Sequence, residues 1–446
     1  MNLILIIIDS LRADHVGCYG NEWIRTPNMD RLSRESVLFE DAYPEGLPTI
    51  PVRRALFTGN RSYPWEEYPL WKGDWIRRRG WHPLRATDIT VSEILKEHGY
   101  TTALITDAYH IFKPCMNFHR GFDSFQWIRG QEGDSYRTGP LRGVDVGRYV
   151  VPALEEGRLH GRTTRSVLER YLKNVEDRRC EEDYFAPRVF RSAMKWLEDN
   201  RDQERFFLCV DSFDPHEPWD PPSYYVDLYD PGYEGKEIIF PRGGDSSYLS
   251  HPQLRHIRAL YAGEVTMVDR WLGLFLDKVG DLGLLENSLI FLISDHGHPL
   301  GEHGIIKKRP ENLYSELLHI PLMIRHPEGE YAGVRVKGFV QDHDFMPTAL
   351  SLLGIPLPGE VDGHDLWPLV TGQTEKIRDY VICAYDNYAC VLDQRWHYIC
   401  QPEGEDQRLY ELEQDPTSHQ NIIEERPDKA KEMRGRLEAL LRGSKA

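Results

Sequence analysis

The chain has 446 residues, 40% of them hydrophobic, enough for a large core and more than one folding unit. Its formal net charge of −17 argues against nucleic acid or any long polyanion as the main partner, because phosphate neutralisation needs basic patches; a small anionic substrate stays open wherever a site is locally positive. The longest apolar run, Leu3 to Ile8, is far too short to insert in a membrane and follows Met1 without a basic leader, and the seven scattered cysteines lack zinc spacing, so a cytoplasmic setting is expected.

In chain order, Leu3 to Ile8 reads as a central parallel strand buried on both faces, ending in Asp9-Ser10. Ligands collect at the carboxyl ends of strands in open α/β sheets, so Asp9 is placed to hold a metal. Arg12 to His15 and Gly17 to Gly20 read as loop, and Thr26-Pro27 opens a helix to about Ser36. Asp41 to Pro48 is read as a loop leading into Leu47 to Gly59, where Thr49 sits like an N-cap, Pro51 fits the first turn and Gly59 stops the helix. One hydroxyl thus lies at the positive end of a helix, a ready anion site, with Arg53 one turn on. Ser62 to Pro83, with Trp65, Trp71, Trp75, Trp81 and Arg77 to Arg79, is an irregular aromatic excursion, read as packed surface with a pocket wall as the other reading.

A helix over Ile89 to His98 precedes a strand over Thr101 to Thr106 that ends at Asp107, with His110 just beyond. Lys113 to Trp127 is loop-like, and the polar Gln131 to Val151 reads as an insertion or lid. Helical patterns at Arg162 to Glu176 and Ala186 to Asn200 lead to a strand, Arg205 to Asp211, followed by Asp214 and His216. A long amphipathic helix over Leu254 to Val279 precedes the strand Ser288 to Ile293, which ends in Ser294-Asp295-His296-Gly297-His298, with Lys307-Lys308 further on. Ile320 to Arg325 is a strand and Phe345 to Leu353 a helix. After about Trp367, short alternating segments predict a small antiparallel sheet, closed by a helix over Arg426 to Leu441. The expected architecture is α/β, a large mixed, mostly parallel sheet flanked by helices over 1–370, with a small α+β subdomain over 371–446.

Four apolar strands therefore end in acidic or imidazole side chains: Asp9, Asp107 with His110, Asp211 with His216, and Asp295 with His296. With the helix-terminal hydroxyl they point to one site along the carboxyl edge of the sheet. Asp and His donors suit Mn²⁺, Zn²⁺ or Mg²⁺, and less often Ca²⁺. Such an ion would lower the pKa of the Thr49 hydroxyl and neutralise a substrate oxyanion.

Several segments in this order resemble the sulfatases and their phosphonate and phosphodiester hydrolase relatives in the alkaline phosphatase superfamily. They are Ile8-Asp9-Ser10-Leu11-Arg12-Ala13-Asp14-His15, Thr49-Ile50-Pro51-Val52-Arg53, Asp214-Pro215-His216-Glu217-Pro218, Ser294-Asp295-His296-Gly297, Gly301-Glu302-His303-Gly304 and Leu409-Tyr410-Glu411-Leu412. The resemblance implies an alkaline-phosphatase-like fold and ester hydrolysis. In sulfatases the nucleophile position holds Cys or Ser, oxidised to formylglycine. Thr49 stands there instead, and a secondary alcohol cannot yield that aldehyde, so Thr49 is expected to attack directly and form a covalent intermediate. Ser10 replaces a second Asp ligand, and His296 stands where many sulfatases carry Asn or Gln. The set Asp9, Thr49, Asp295 and His296 resembles single-metal phosphodiester and phosphonate monoester hydrolases, with Mn²⁺ placed first among the candidate ions.

By the same resemblance, Arg53 is an anion clamp and support for the nucleophile, His216 a general acid or substrate donor, and Lys308 an anion-binding group with Lys307 an equally placed competitor. His110 is a further substrate-binding candidate, its neighbouring family lysine being lost, and His303 is structural. The expected substrate is a small anionic ester, a phosphate diester or phosphonate monoester, and homo-oligomerisation stays open. The competing readings are a sulfuric ester hydrolase using unmodified Thr49, a two-metal enzyme drawing on Asp211 or Asp214, His216 and His343, and an inactive anion-binding protein.

Overall fold

The computed structural model describes residues 1–68, 76, 78–113, 115–151, 158–159 and 162–443. Trp71, Trp75 and Arg77 of the aromatic excursion lie outside the described residues. An eight-stranded sheet forms the centre. Its spatial order is Arg335–Gln341, Val37–Tyr43, Leu322–Arg325, Ser288–Ser294, Asn2–Ile8, Phe206–Ser212, Thr101–Thr106 and Ser124–Trp127. Leu322–Arg325 runs antiparallel to both neighbours and the other pairs are parallel. The expected mixed, mostly parallel α/β architecture is what the chain adopts.

Asn2–Ile8 is buried at every position because helices cover both faces of the sheet. Ile4, Ile6 and Ile8 pack into a core with the long His251–Asp281 helix, whereas Leu3, Leu5 and Ile7 face Ile50, Val52 and Leu56 of the Thr49–Thr58 helix. The parallel register sets Ile8 beside Ser294 on one side and Ser212 on the other. Asp9 and Asp295 therefore leave the sheet side by side. The two-residue repeat of a strand also fixes the face: Asp9 follows Ile7, Asp295 follows Ile293, and Asp211 pairs directly with Ile7. All three carboxylates belong to the face that the Thr49–Thr58 helix covers.

Val37–Tyr43, Ser124–Trp127 and Arg335–Gln341 were not expected as strands. Each lies at or next to a sheet edge, where partial exposure admits Glu40, Asp41 and Lys337 and breaks the apolar signature. A second sheet has the order Arg408–Glu411, Trp396–Cys400, Tyr388–Leu392, Val381–Tyr385 and Gly46–Leu47. Its C-terminal strands are antiparallel, as expected, and the Pro427–Leu441 helix packs on it through Met433 and Leu437. Its last strand comes from far upstream: Leu47 pairs in parallel with Tyr385, which anchors the chain two residues before Thr49.

Candidate active site

The Thr49–Thr58 helix is capped by Pro48, so Thr49 is its first residue and not the N-cap expected from the sequence. Arg53, one turn on, is completely buried and reaches down to the sheet. It donates to both oxygens of Asp211 (2.9 and 2.7 Å), to Asp295 Oδ2 (2.7 Å), to Asp9 Oδ2 (3.1 Å) and to the Thr49 carbonyl (3.2 Å). A guanidinium has five N–H donors, and these contacts use all of them. The clamp expected for a substrate anion is instead a clamp on the protein's own carboxylates. Against its burial, Asp211, Asp295 and Asp9 hold Arg53 firmly in the charged form.

Three buried carboxylates around one guanidinium leave an excess of negative charge. Burial and the neighbouring Asp295 push the Asp9 carboxyl well above its ordinary range. His296 completes the cluster. Its Nδ1 lies 2.9 Å from the Gly297 carbonyl, which fixes the proton on that nitrogen. Its Nε2 has no hydrogen-bond partner, although the ring is fully buried, and lies 3.6 Å from Asp295 Oδ2 and 4.0 Å from Asp9 Oδ1. Burial lowers His296 to about 4, so the ring is neutral and offers a lone pair. Donor atoms of Asp9, Asp295 and His296 all lie within 4.8 Å of one another. An orphaned imidazole nitrogen between two carboxylates fits a divalent cation.

Ser10, read as a lost ligand, binds both of these carboxylates. Its backbone φ is +62°, and in that turn its N–H meets Asp295 Oδ1 (2.9 Å) while its hydroxyl meets Asp9 Oδ1 (2.8 Å). Gly297 has to lack a side chain, since a Cβ there would lie 2.2 Å from the Glu316 carbonyl.

Beside this cluster lies a cavity of about 250 Å³ lined by Thr49, His110, Glu132, His216, Lys307 and Lys308 among others. The structure thus brings together the residues expected to act on the substrate. Their electrostatics differ from expectation. Burial pulls His216 down to about 3, against the pull of Glu217, so the ring is neutral. Its Nδ1 faces the Glu217 carbonyl (2.8 Å), and its Nε2 meets Lys308 Nζ at 2.5 Å. With its proton on Nδ1, His216 accepts from Lys308 through Nε2 and holds it in place. Lys307 turns the other way: its φ is +65°, and its ammonium pairs with Glu217 at 2.6 Å over the Phe240 ring. Of the two lysines, Lys307 has a carboxylate partner, whereas Lys308 stands on His216 in the cavity wall. His110 stands with Nε2 3.7 Å from Glu132 and its ring edge-on to Trp81.

The other strand-end carboxylates do not join the metal cluster. Asp211 is consumed by Arg53, while Asp107 and Asp214 share the Gln131 amide at 2.9 and 2.6 Å. His343 lies among Asp342 and Asp344, and no group of described residues suited to a metal contains it. The second metal site expected as an alternative, from Asp211 or Asp214, His216 and His343, does not form with those residues; His216 instead brings a ring nitrogen within 4.8 Å of carboxylate oxygens of Glu132 and Glu217. His303 packs between Tyr314 and His419 and pairs with Glu316, a structural contact. Glu132, Glu217 and His298 were not foreseen. Glu217 adjoins His216, and His298 follows His296 by two residues, which were available signals; Glu132, in the polar insertion, carried none.

A sulfatase family model matches residues 1–355, and a model of the C-terminal part of N-sulphoglucosamine sulphohydrolase matches residues 301–445. An arylsulfatase of Clostridium perfringens is 25% identical over 490 residues, covering 100% of this chain and 96% of its own. The fold superimposes on a phosphonate monoester hydrolase of Agrobacterium radiobacter with a TM-score of 0.74 at 21% identity, covering 99% of this chain and 94% of that one. It superimposes equally, with a TM-score of 0.74 at 20% identity over 100% of this chain and 98% of the other, on a protein solved with its substrate D-glucosamine-2-N,6-O-disulfate. With a buried Asp-Asp-His cluster, an arginine-locked helix start and a cationic cavity in one place, the chain belongs to the sulfatase family of the alkaline phosphatase superfamily and is an ester hydrolase.

Proposed function

We propose that this chain hydrolyses a phosphate diester or a phosphonate monoester, with Thr49 as the nucleophile. One observation carries the reading: the side chain at the family's nucleophile position is a secondary alcohol, and it lines the cavity that also holds Lys308. The fold shared with a phosphonate monoester hydrolase supports it. Asp9, Asp295 and His296 would hold one divalent cation, Mn²⁺ first and Zn²⁺, Mg²⁺ or Ca²⁺ as alternatives. Bound there, the ion supplies the positive charge that makes a neighbouring hydroxyl acidic and offsets charge on the ester oxygens.

The chain's own residues do the rest. The helix start presents the substrate oxyanion with backbone N–H groups, and Lys308 adds a charge. The Thr49 hydroxyl loses its proton to water, and its Oγ bonds to phosphorus as the bond to the leaving alcohol breaks. Lys308 Nζ gives a proton to that leaving oxygen, with neutral His216 holding it in place. Water then attacks phosphorus and breaks the Thr49 Oγ–P bond; one of its protons passes to Thr49 Oγ, the acid is released, and Lys308 regains a proton from solvent. Arg53 acts by fixing Asp9, Asp295 and the Thr49 carbonyl.

The name of the arylsulfatase relative favours a second reading, sulfuric ester hydrolysis by unmodified Thr49. Aryl esters of a phosphate diester, a phosphonate, a phosphate monoester and a sulfate, each assayed with the four metals, separate the two. The highest kcat/KM is expected for the diester or the phosphonate. Turnover of the sulfate alone would establish the second reading, and turnover of nothing would favour an anion-binding protein.

A further inference from the structure

The cavity beside Thr49 is far more basic than the chain that encloses it. Arg78, Arg242, Lys307, Lys308 and Arg309 line it against Glu132 and Glu217, in a protein of net charge −17. Two of these cations are spoken for by carboxylates: Lys307 by Glu217 at 2.6 Å and Arg309 by Glu311 at 3.2 Å. Lys308 stands on neutral His216, at the reacting end. Arg78 is different. It is half-buried, its guanidinium lies over the Tyr385 ring at 5.0 Å, and its Nη1 donates to the Tyr385 hydroxyl. Among the described residues no carboxylate comes within 4.0 Å of it to form an ion pair, and Asp386, which lines the adjoining cavity with it, acts on it only from further off. Burial accordingly pushes Arg78 below its ordinary value, the reverse of Arg12 and Arg53, which carboxylates hold charged.

The placement of Arg78 is built, not incidental. Tyr385 is the residue paired with Leu47, two positions before Thr49, so the ring under Arg78 and the nucleophile share one piece of backbone framework. From the helix that begins at Thr49, Arg54 donates to the carbonyls of Gly80 (3.1 Å) and His82. The Trp81 N–H bonds back to the Arg78 carbonyl at 3.2 Å. Arg78 and Trp81 also line a larger adjoining cavity of about 860 Å³, so they stand where a leaving group would extend away from Thr49.

A half-buried guanidinium without a counter-ion is costly, and an oxyanion that accepts its hydrogen bonds removes the cost. We propose that the alcohol released by this enzyme carries a negative group of its own, a carboxylate, sulfate or phosphate, and that Arg78 on Tyr385 receives it. The substrate is then an ester with two anionic ends, one reacting at Thr49 and the other held at Arg78. This rests on the ester-hydrolase reading but not on whether the reacting centre is phosphorus or sulfur.

The test uses two phenylphosphonate monoesters of matched size, one releasing 3-hydroxybenzoate and the other its neutral methyl ester, on the Mn²⁺-loaded wild type and on Arg78→Met and Arg78→Lys. The quantity read is the ratio of kcat/KM for the anionic over the neutral substrate, which cancels intrinsic leaving-group reactivity when variants are compared. In Arg78→Met this ratio should fall at least ~10-fold, and Arg78→Lys should fall between, as expected for loss of a charge-assisted hydrogen bond. An unchanged ratio in Arg78→Met overturns the proposal. Should Arg78→Met fail to fold, Arg78→Lys gives the same readout, and an unchanged ratio there overturns it. If neither phosphonate is turned over and aryl sulfates are, the phosphorus reading fails, and the corresponding pair of sulfate esters tests Arg78. Binding of 3-hydroxybenzoate against its methyl ester, followed by calorimetry, needs no turnover: equal affinities for the wild type would also refute an oxyanion subsite.

Discussion

Replacing Arg53 by Met removes the only cation that touches Asp9, Asp211 and Asp295 among the described residues. The three carboxylates are not equal losers. Asp9 already leans to its protonated form, and Asp295 keeps the Ser10 N–H. Among the described residues both oxygens of Asp211 bond only to the Arg53 fork, at 2.9 and 2.7 Å, and the residue is 1% exposed. The penalty is thus mainly one stranded buried carboxylate, for which breaking a buried pair costs about 3–5 kcal/mol. That is a large share of the roughly 5–15 kcal/mol that holds a domain together. Arg53→Lys keeps the charge but cannot form the fork, and should cost less. Urea unfolding followed by tryptophan fluorescence, in chelator and then in Mn²⁺, reads the loss as a shift in midpoint at constant slope. The loss should shrink on adding metal, because Asp9 and Asp295 gain another cation, but should not vanish, because Asp211 does not. If Arg53→Met in chelator unfolds within about 1 kcal/mol of wild type, the guanidinium does not hold this centre together, whatever its distances.

Thr49→Ala should abolish turnover while Asp9, Asp295 and His296 still bind the metal; Thr49→Ser should keep measurable activity, and mass spectrometry of quenched reactions should show an adduct on residue 49 in the wild type and in Thr49→Ser but not in Thr49→Ala. Gly297→Ala forces a Cβ to within 2.2 Å of the Glu316 carbonyl, so it should cost about 1–3 kcal/mol or more in unfolding and weaken the metal at least ~10-fold by displacing His296, as measured by metal titration. The His216 ring, held at about 3 in the fold against 6.5 when free, must gain a proton on unfolding anywhere between those values, so its contribution to stability is complete above pH 6.5 and lost as pH falls toward 3. His216→Gln should flatten the pH dependence of unfolding free energy near pH 5 by about 1.4 kcal/mol per pH unit, and an identical slope would contradict a neutral buried His216.

Much of this centre was legible because parallel strands advertise themselves. Leu3 to Ile8 and Leu289 to Ile293 are continuous apolar runs with a carboxylate just beyond, directly after Ile8 and one residue past Ser294, and that pattern located Asp9 and Asp295 without any contact being known. What stayed hidden depended on register and direction. Asp211 looks like another strand end, yet pairing with Ile7 draws it beneath Arg53, away from any ion. Lys307 and Lys308 are adjacent and alike in sequence. A single left-handed turn at Lys307 sends one ammonium to Glu217 and leaves the other on His216. Glu132 reaches the same cavity from an insertion that follows a different strand, a juxtaposition no local pattern announces.

Ser10 shows most clearly what a local reading can miss. Judged by residue type it is a ligand lost. In the fold it holds both remaining carboxylate ligands with its own N–H and hydroxyl. Exchanging an acid for a hydroxyl there also removes one negative charge from a buried centre. Asp9, Asp211 and Asp295 set against Arg53 and a dication then come to neutrality before any substrate arrives. A substrate oxyanion must accordingly be balanced from outside that centre, by the helix start at Thr49 and by Lys308, and a second anion on the same substrate by Arg78, a cavity guanidinium with no carboxylate ion pair among the described residues. The charge balance of the metal cluster and the basicity of the cavity are thus two sides of one electrostatic arrangement, in which the protein's own acids are already answered and its unanswered cations face the substrate.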